Sequence, residues 1–239
     1  GLKGICFTDH LDIDYKEEPG LFDLDIAAYR KEILSVKETF KDKLDIGWGI
    51  ELGLQPYLEK ENQAVITNYD FDFVIGSTHV VKQVDIYYPA YYEGRNEEDC
   101  YREYFEETLK NAQSNVDFDV YGHLDYVVRY GPNKNKFYSY QKYADVIDEI
   151  RRTLIQKGKG LELNTAGFKY GLGHAHPIIP VLKRYKELGG EIITLGSDGH
   201  APEQIAWDFD KVPSILKEAG FEHFTVFHNR KPEFHKITI

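Results

Sequence analysis

Six side chains able to ligate a metal stand in equivalent places along this sequence: His10, Glu51, His79, His123, Asp198 and His200 each close or follow a short apolar run. Imidazole and carboxylate form a hard-to-borderline donor set that suits zinc, manganese or iron. Six donors exceed the three or four protein ligands that one catalytic zinc uses, so two or more metals are expected. A carboxylate has two oxygens, and Glu51 could bridge two ions. Metals about 3.5–4 Å apart can clamp the attacking and leaving oxygens of a phosphate ester, and their charge lowers the pKa of bound water. Hydrolysis by that route needs no serine or cysteine nucleophile. Taken singly, a histidine at a strand end is more often structural than a ligand. Recurrence at the same topological position is what favours a shared site.

The elements that must bring these residues together follow one pattern: an apolar, β-branched or aromatic run, a polar group at its end, then a stretch with helical spacing. The runs are Gly4 to Thr8, Leu44 to Ile50, Phe71 to Ile75, Phe118 to Tyr121, Gly160 to Leu163, Glu191 to Leu195 and Phe224 to Phe227. Helical segments are expected over Ile26 to Phe40, Glu97 to Asn111, Tyr140 to Lys157 and Asp210 to Ala219, and another that Pro177 opens and Gly189-Gly190 stops. Alternating strands and helices predict an α/β fold with a parallel sheet and right-handed crossovers, and seven such strands favour closure into a TIM-like barrel. Barrel enzymes place their chemistry where the C-terminal strand ends converge. No linker-like or low-complexity tract divides the chain, so residues 1–239 read as one domain.

The formal net charge of −11 offers no broad positive surface for a nucleic acid, although a small anionic ligand needs only a local pocket. No apolar run reaches the ~18 residues of a membrane span. The two cysteines, Cys6 and Cys100, suggest neither a disulfide framework nor a thiolate site, and a reducing cytoplasmic compartment is expected. The sequence opens at Gly1 inside what already reads as a strand and contains no methionine, so an earlier first strand is expected to precede it.

Thr8-Asp9-His10, Gly49-Ile50-Glu51, Gly76-Ser77-Thr78-His79, Gly122-His123-Leu124-Asp125 and Gly196-Ser197-Asp198-Gly199-His200 resemble, in order and spacing, the successive motifs of the polymerase and histidinol phosphatase (PHP) superfamily. The segment Gly122 to Gly131 and Asn164-Thr165-Ala166-Gly167 bring the sequence nearest to its histidinol-phosphatase branch. The resemblance covers nearly the whole chain. It implies a distorted seven-stranded (β/α) barrel, a three-ion metal centre and hydrolysis of L-histidinol phosphate in histidine biosynthesis. Carried over, His10, Glu51, His79, His123, Asp198 and His200 are ligands, with Glu51 bridging, and Asp9 orients its neighbourhood from outside the ligand set.

Two departures stand out. The family's opening His-x-His motif lies on a first strand that this sequence lacks. Where relatives carry an arginine that helps hold phosphate, this sequence has Lys169. Arg129, able to form a bidentate fork, becomes the stronger phosphate-binding candidate, with Lys169 second and a surface ion pair as the plain alternative for Arg129. His174-Ala175-His176 reads as loop or rim rather than ligand, and His223, His228 and His235 read as structural. The tyrosines of Ile86 to Gly94 could wall a substrate imidazole or cover apolar surface. The expected partner is a small phosphate ester, with neither nucleic acid nor membrane; the oligomeric state is left open. Alternatives are a phosphoesterase of the same superfamily acting on another small phosphate ester or a nucleotide, and a non-catalytic metal-binding regulatory module.

Overall fold

The computed structural model describes residues 1–238. Strands β1 (Gly4–Leu11), β2 (Asp45–Gly53) and β3 (Phe73–Ser77) are followed by a short antiparallel pair, β4 (Val80–Val81) and β5 (Val84–Asp85). Next come β6 (Val120–Tyr121), β7 (Gly160–Asn164), β8 (Ile193–Gly196), β9 (His223–His228) and β10 (Lys231–Lys236). Helices α1 (Ile26–Phe40), α2 (Glu59–Asn68), α3 (Glu97–Gln113), α4 (Ala144–Gln156), α5 (Ala166–Lys169), α6 (Ile179–Glu187) and α7 (Val212–Glu218) lie between them. The main sheet is a curled half-barrel of six parallel strands in the order β1-β2-β3-β6-β7-β8.

Side chains alternate across a strand, and the two faces of this sheet differ accordingly. Ile46, Trp48, Ile50 and Leu52 of β2 face the helices and join the large core with Tyr29 and Ile33 of α1. The inner face of β2 is Gly47, Gly49, Glu51 and Gly53. A side chain at Gly49 would come within 2.7 Å of the Phe73 carbonyl and 2.8 Å of Thr8, so the tight curl demands glycine there. Inside the curl Phe73, Ile75, Val120 and Phe227 form a small second core. The helices carry the caps their sequences supply: Asp25 accepts from Ala28 N–H at 2.9 Å, and Asn96 from Glu98 N–H at 2.8 Å.

Three features differ from the sequence reading. Helix α2 was not anticipated, because its buried residues are only Ile66 and the polar Asn62, which make no apolar stripe. Pro180, not Pro177, occupies the first turn of α6; Pro177 follows a cis peptide in the loop before it. The seventh run, β9, lies beside β8, where Thr225 Oγ1 accepts from Ile193 N–H at 3.2 Å, but its ladder is antiparallel to β10. Asn229 and Arg230, at φ 48° and 64°, make the two-residue turn of that hairpin.

Candidate metal centre

At the C-terminal end of the sheet the six expected donors come together. Parallel register sets His10 opposite Glu51 on the adjacent strand, and the short segments after β3 and β6 add His79 and His123. Glu51 Oε1 lies 3.1 Å from His79 Nε2 and 3.0 Å from His123 Nε2, while its Oε2 is 3.9 Å from His10 Nδ1. The His200 ring stacks on that of His10 at 5.4 Å, and its Nε2 is 3.0 Å from Asp198 Oδ1. Three groups of donor atoms, each gathered within 4.8 Å, result: His10 with Asp12 and His79, His10 with Asp198 and His200, and Glu51 with His79 and His123.

Asp12 escaped the sequence reading, although it stands two residues after His10 and so on the same face of the chain. Its Oδ1 is 2.8 Å from His79 Nδ1 and its Oδ2 is 4.0 Å from His10 Nδ1. Gly53 makes room for it, since a side chain there would come within 1.8 Å of Asp12 Oδ1. Asp9, expected to orient the ligands, is exposed and falls on the alternate face of β1 from His10. Asp12, rather than Asp9, lies against His79. Glu162, inward on β7, was also missed. Its Oε2 accepts from His123 N–H at 2.9 Å and Asn164 Nδ2 at 3.1 Å, and burial holds its carboxyl above the ordinary range.

Burial would neutralise Glu51, but His10, His123 and His79 outweigh it and hold the carboxyl well below its ordinary pKa. The converse holds for His79, where Asp12 and Glu51 outweigh burial and raise the imidazole well above its ordinary value. A bound cation would compete with protons for these positions. Two nitrogens directed at one carboxylate oxygen, and a buried His123 Nδ1 without a hydrogen-bond partner, fit a divalent-metal donor set.

The two expected phosphate-binding cations both reach Asp198. Arg129 Nη1 donates to Asp198 Oδ2 at 2.7 Å from a fully buried position. Half-buried Lys169 donates to the Asp198 carbonyl at 2.7 Å and to Gln204 Oε1 at 3.1 Å.

His176 is not on the rim. It is fully buried in its loop, 2.5 Å from Asp125 Oδ1 through Nδ1, and burial pushes its pKa down to about 4 against the pull of Asp125. The antiparallel bridge between Asn164 and His176, invisible in a loop sequence, draws it inward.

The tyrosine loop divides. Tyr91 and Tyr92 are buried and bond to the carbonyls of Cys100 and Val127, whereas exposed Tyr87 meets Tyr130 edge to face at 5.2 Å. Tyr126, not singled out from sequence, stacks on His123 at 4.5 Å. His228 and His235 lie on the β9–β10 hairpin, His228 at 2.7 Å from Asp45 Oδ2 and His235 stacked on Phe224. Among the described residues no helix is long and apolar enough to cross a membrane.

The PHP domain family model matches residues 1–166. A histidinol-phosphatase of Lactococcus lactis subsp. lactis is 34% identical over 241 residues, covering 100% of this chain and 88% of that protein. The probable histidinol-phosphatase of Clostridium acetobutylicum is 29% identical, covering 92% of this chain and 83% of its own length. The crystal structure of the Lactococcus lactis histidinol phosphate phosphatase, complexed with zinc, L-histidinol and phosphate, superposes with a TM-score of 0.84 at 33% identity, over 98% of this chain and 88% of that one. A solved structure from Listeria monocytogenes, 17% identical, shares the fold with a TM-score of 0.75 over 87% of this chain and 88% of that one.

Proposed function

The chain belongs to the PHP domain family, and on that premise we infer that it is a metal-dependent phosphomonoesterase hydrolysing L-histidinol phosphate to L-histidinol and phosphate. The observation that carries the reading is the convergence on Glu51 of imidazoles from the ends of β1, β3 and β6, in a chain this similar to a relative crystallised with zinc, L-histidinol and phosphate. His10, Glu51, His79, His123, Asp198 and His200 would hold two or more divalent ions. Zinc is the first choice, and manganese and iron suit the same nitrogen and oxygen donors. When bound, such ions supply positive charge to the phosphoryl oxygens and lower the pKa of water at the site.

The chain's own residues set the geometry. Asp12 takes up His79 Nδ1 and leaves Nε2 directed at the cluster, as a carboxylate behind a ligating imidazole does. Glu162 fixes the His123 backbone. Lys169 uses two N–H groups on Asp198 and Gln204, and its third supports the reading that it meets the phosphate. Exposed Tyr87 and half-buried Tyr130, edge to face at 5.2 Å, offer an aromatic wall for the substrate's imidazole.

The test is phosphate release from L-histidinol phosphate, before and after chelation, with metal content measured on the same sample. Chelator-sensitive release that recovers on adding zinc is expected. A clear preference for mononucleotides would move the reading to another phosphoesterase, and no hydrolysis by metal-replete protein would favour the regulatory module.

A further inference from the structure

We propose that Gln204 is a positioning residue that ties the phosphate-facing cation Lys169 to the turn carrying His200. It rests on the reading of Lys169 as a phosphate-binding cation and of His200 as a metal ligand. The side-chain oxygen of half-buried Gln204 accepts two hydrogen bonds, one from His200 N–H at 2.9 Å and one from Lys169 Nζ at 3.1 Å. A backbone N–H and an ammonium are donors only, so the oxygen of the amide, not its nitrogen, must face them. Gln204 stands 35 positions from Lys169, and no apolar run precedes it to mark it in the sequence.

The loop is shaped to bring that oxygen back over the ligand turn. After β8 the chain passes through Asp198-Gly199-His200 and enters a single 3-10 turn, Pro202–Gln204, where Gln204 N–H donates to the Ala201 carbonyl at 2.9 Å. A side chain at Gly199 would lie 3.1 Å from the Gln204 carbonyl, so glycine there lets the two arms of the loop approach. Thr165, just before α5, fixes the returning arm by donating from Oγ1 to the Trp207 carbonyl at 2.6 Å, and Lys169 ends the same short helix. Helix α5 is thus pinned to this loop at both its ends. An amide suits position 204: Lys169 gives one N–H to the Asp198 carbonyl and one to Gln204, both uncharged acceptors, so the ammonium is fixed without its charge being cancelled. A carboxylate there would make the same bonds and take up the charge that a phosphate needs.

The experiment measures binding of inorganic phosphate to the zinc-loaded protein by calorimetry, which needs no turnover, and the rate of zinc release to a chelator. The parent is compared with Gln204→Leu, Gln204→Glu, Lys169→Met and the double variant Gln204→Leu with Lys169→Met. Gln204→Leu should bind phosphate roughly 3- to 10-fold more weakly, the worth of about one hydrogen bond, and release zinc faster. On the Lys169→Met background the same change should weaken phosphate binding by less than about 2-fold, because the group through which it acts is gone. Gln204→Glu keeps both hydrogen bonds and should weaken phosphate binding while zinc release stays parental, a split that a merely structural role would not produce. That variant carries the test if Gln204→Leu does not fold. Parental phosphate binding in both Gln204 variants, or an equal loss with and without Lys169, would overturn the proposal. If Lys169→Met binds phosphate as the parent does, the reading of Lys169 beneath the proposal fails too. If Lys169→Met loses phosphate while the Gln204 variants do not, only the role of Gln204 fails.

Discussion

The two ends of the parallel sheet are built from the same residue types and arranged to opposite effect. At the N-terminal end Asp119, Asp72 and Asp45 each meet a protein donor. Asp119 accepts from Val74 N–H at 2.8 Å and from Arg230 Nε at 2.5 Å; Asp72 accepts from Trp48 N–H at 3.0 Å and Asn229 N–H at 3.1 Å; Asp45 meets His228 at 2.7 Å. The β9–β10 hairpin supplies Arg230, Asn229 and His228, and its Phe227 stacks on Phe73 to cap the inner core. At the C-terminal end, carboxylates and imidazoles are crowded onto one another, two nitrogens to a single Glu51 oxygen, with His123 Nδ1 left over. Histidine and aspartate do not by themselves mark a site. What separates the ends is whether the acceptors are matched by protein donors or gathered around a common point.

The sharpest way to break this comparison is to delete one residue at each end. His123→Ala should lose turnover by more than the roughly 100-fold that removal of an outer partner costs, with metal content falling while the far-ultraviolet spectrum is kept. Near-normal activity in a metal-replete variant would remove His123 from the ligand set. Arg230→Ala should do the reverse: a loss of about 2 kcal/mol in denaturant unfolding, because Asp119 is left buried beside a half-exposed gap, with specific activity and metal content unchanged. Lost metal in that variant would show that the two ends are coupled.

The smallest effect concerns pH. The hydrogen bond that His228 donates to Asp45 is the main cause of its raised pKa. Stability from that pair is present below the unfolded histidine value of roughly 6.5 and fades as pH rises through the higher folded value. The melting-temperature gap between the parent and His228→Gln should therefore be larger at pH 6 than at pH 9. Its size should stay under about 1 kcal/mol, as for solvent-exposed pairs. A gap that widens with pH would contradict the assignment of charge to His228.

Much of the centre was legible because strand ends are legible. His10, Glu51, His79, His123, Asp198 and His200 were picked out by their place after apolar runs, and parallel strands deliver such places to one end of a sheet. Asp12 and Glu162 were within reach of the same reasoning, since Glu162 falls on the inward face of β7 by a period of two and Asp12, just past the end of β1, stands two residues after His10. Asp9 drew attention by standing next to His10, and adjacency in a strand means opposite faces. Helix α2 and the β9–β10 hairpin were missed or misjoined for local reasons: one has no apolar stripe, and the other turns through Asn229-Arg230, which carries no glycine.

The sequence by itself determined the alternation of strands and helices, the order of the donors and the end of the sheet that collects them, because these depend on local periodicity and on the few connections a parallel sheet allows. Only the tertiary structure decided that Asp12 backs His79, that His176 is buried on Asp125, and that Arg129 faces Asp198 from within a ring of tyrosines. Those pairings join residues 51 to 69 positions apart. They turn on the register and curl of the sheet, where a slip of one residue would send each side chain to the other face.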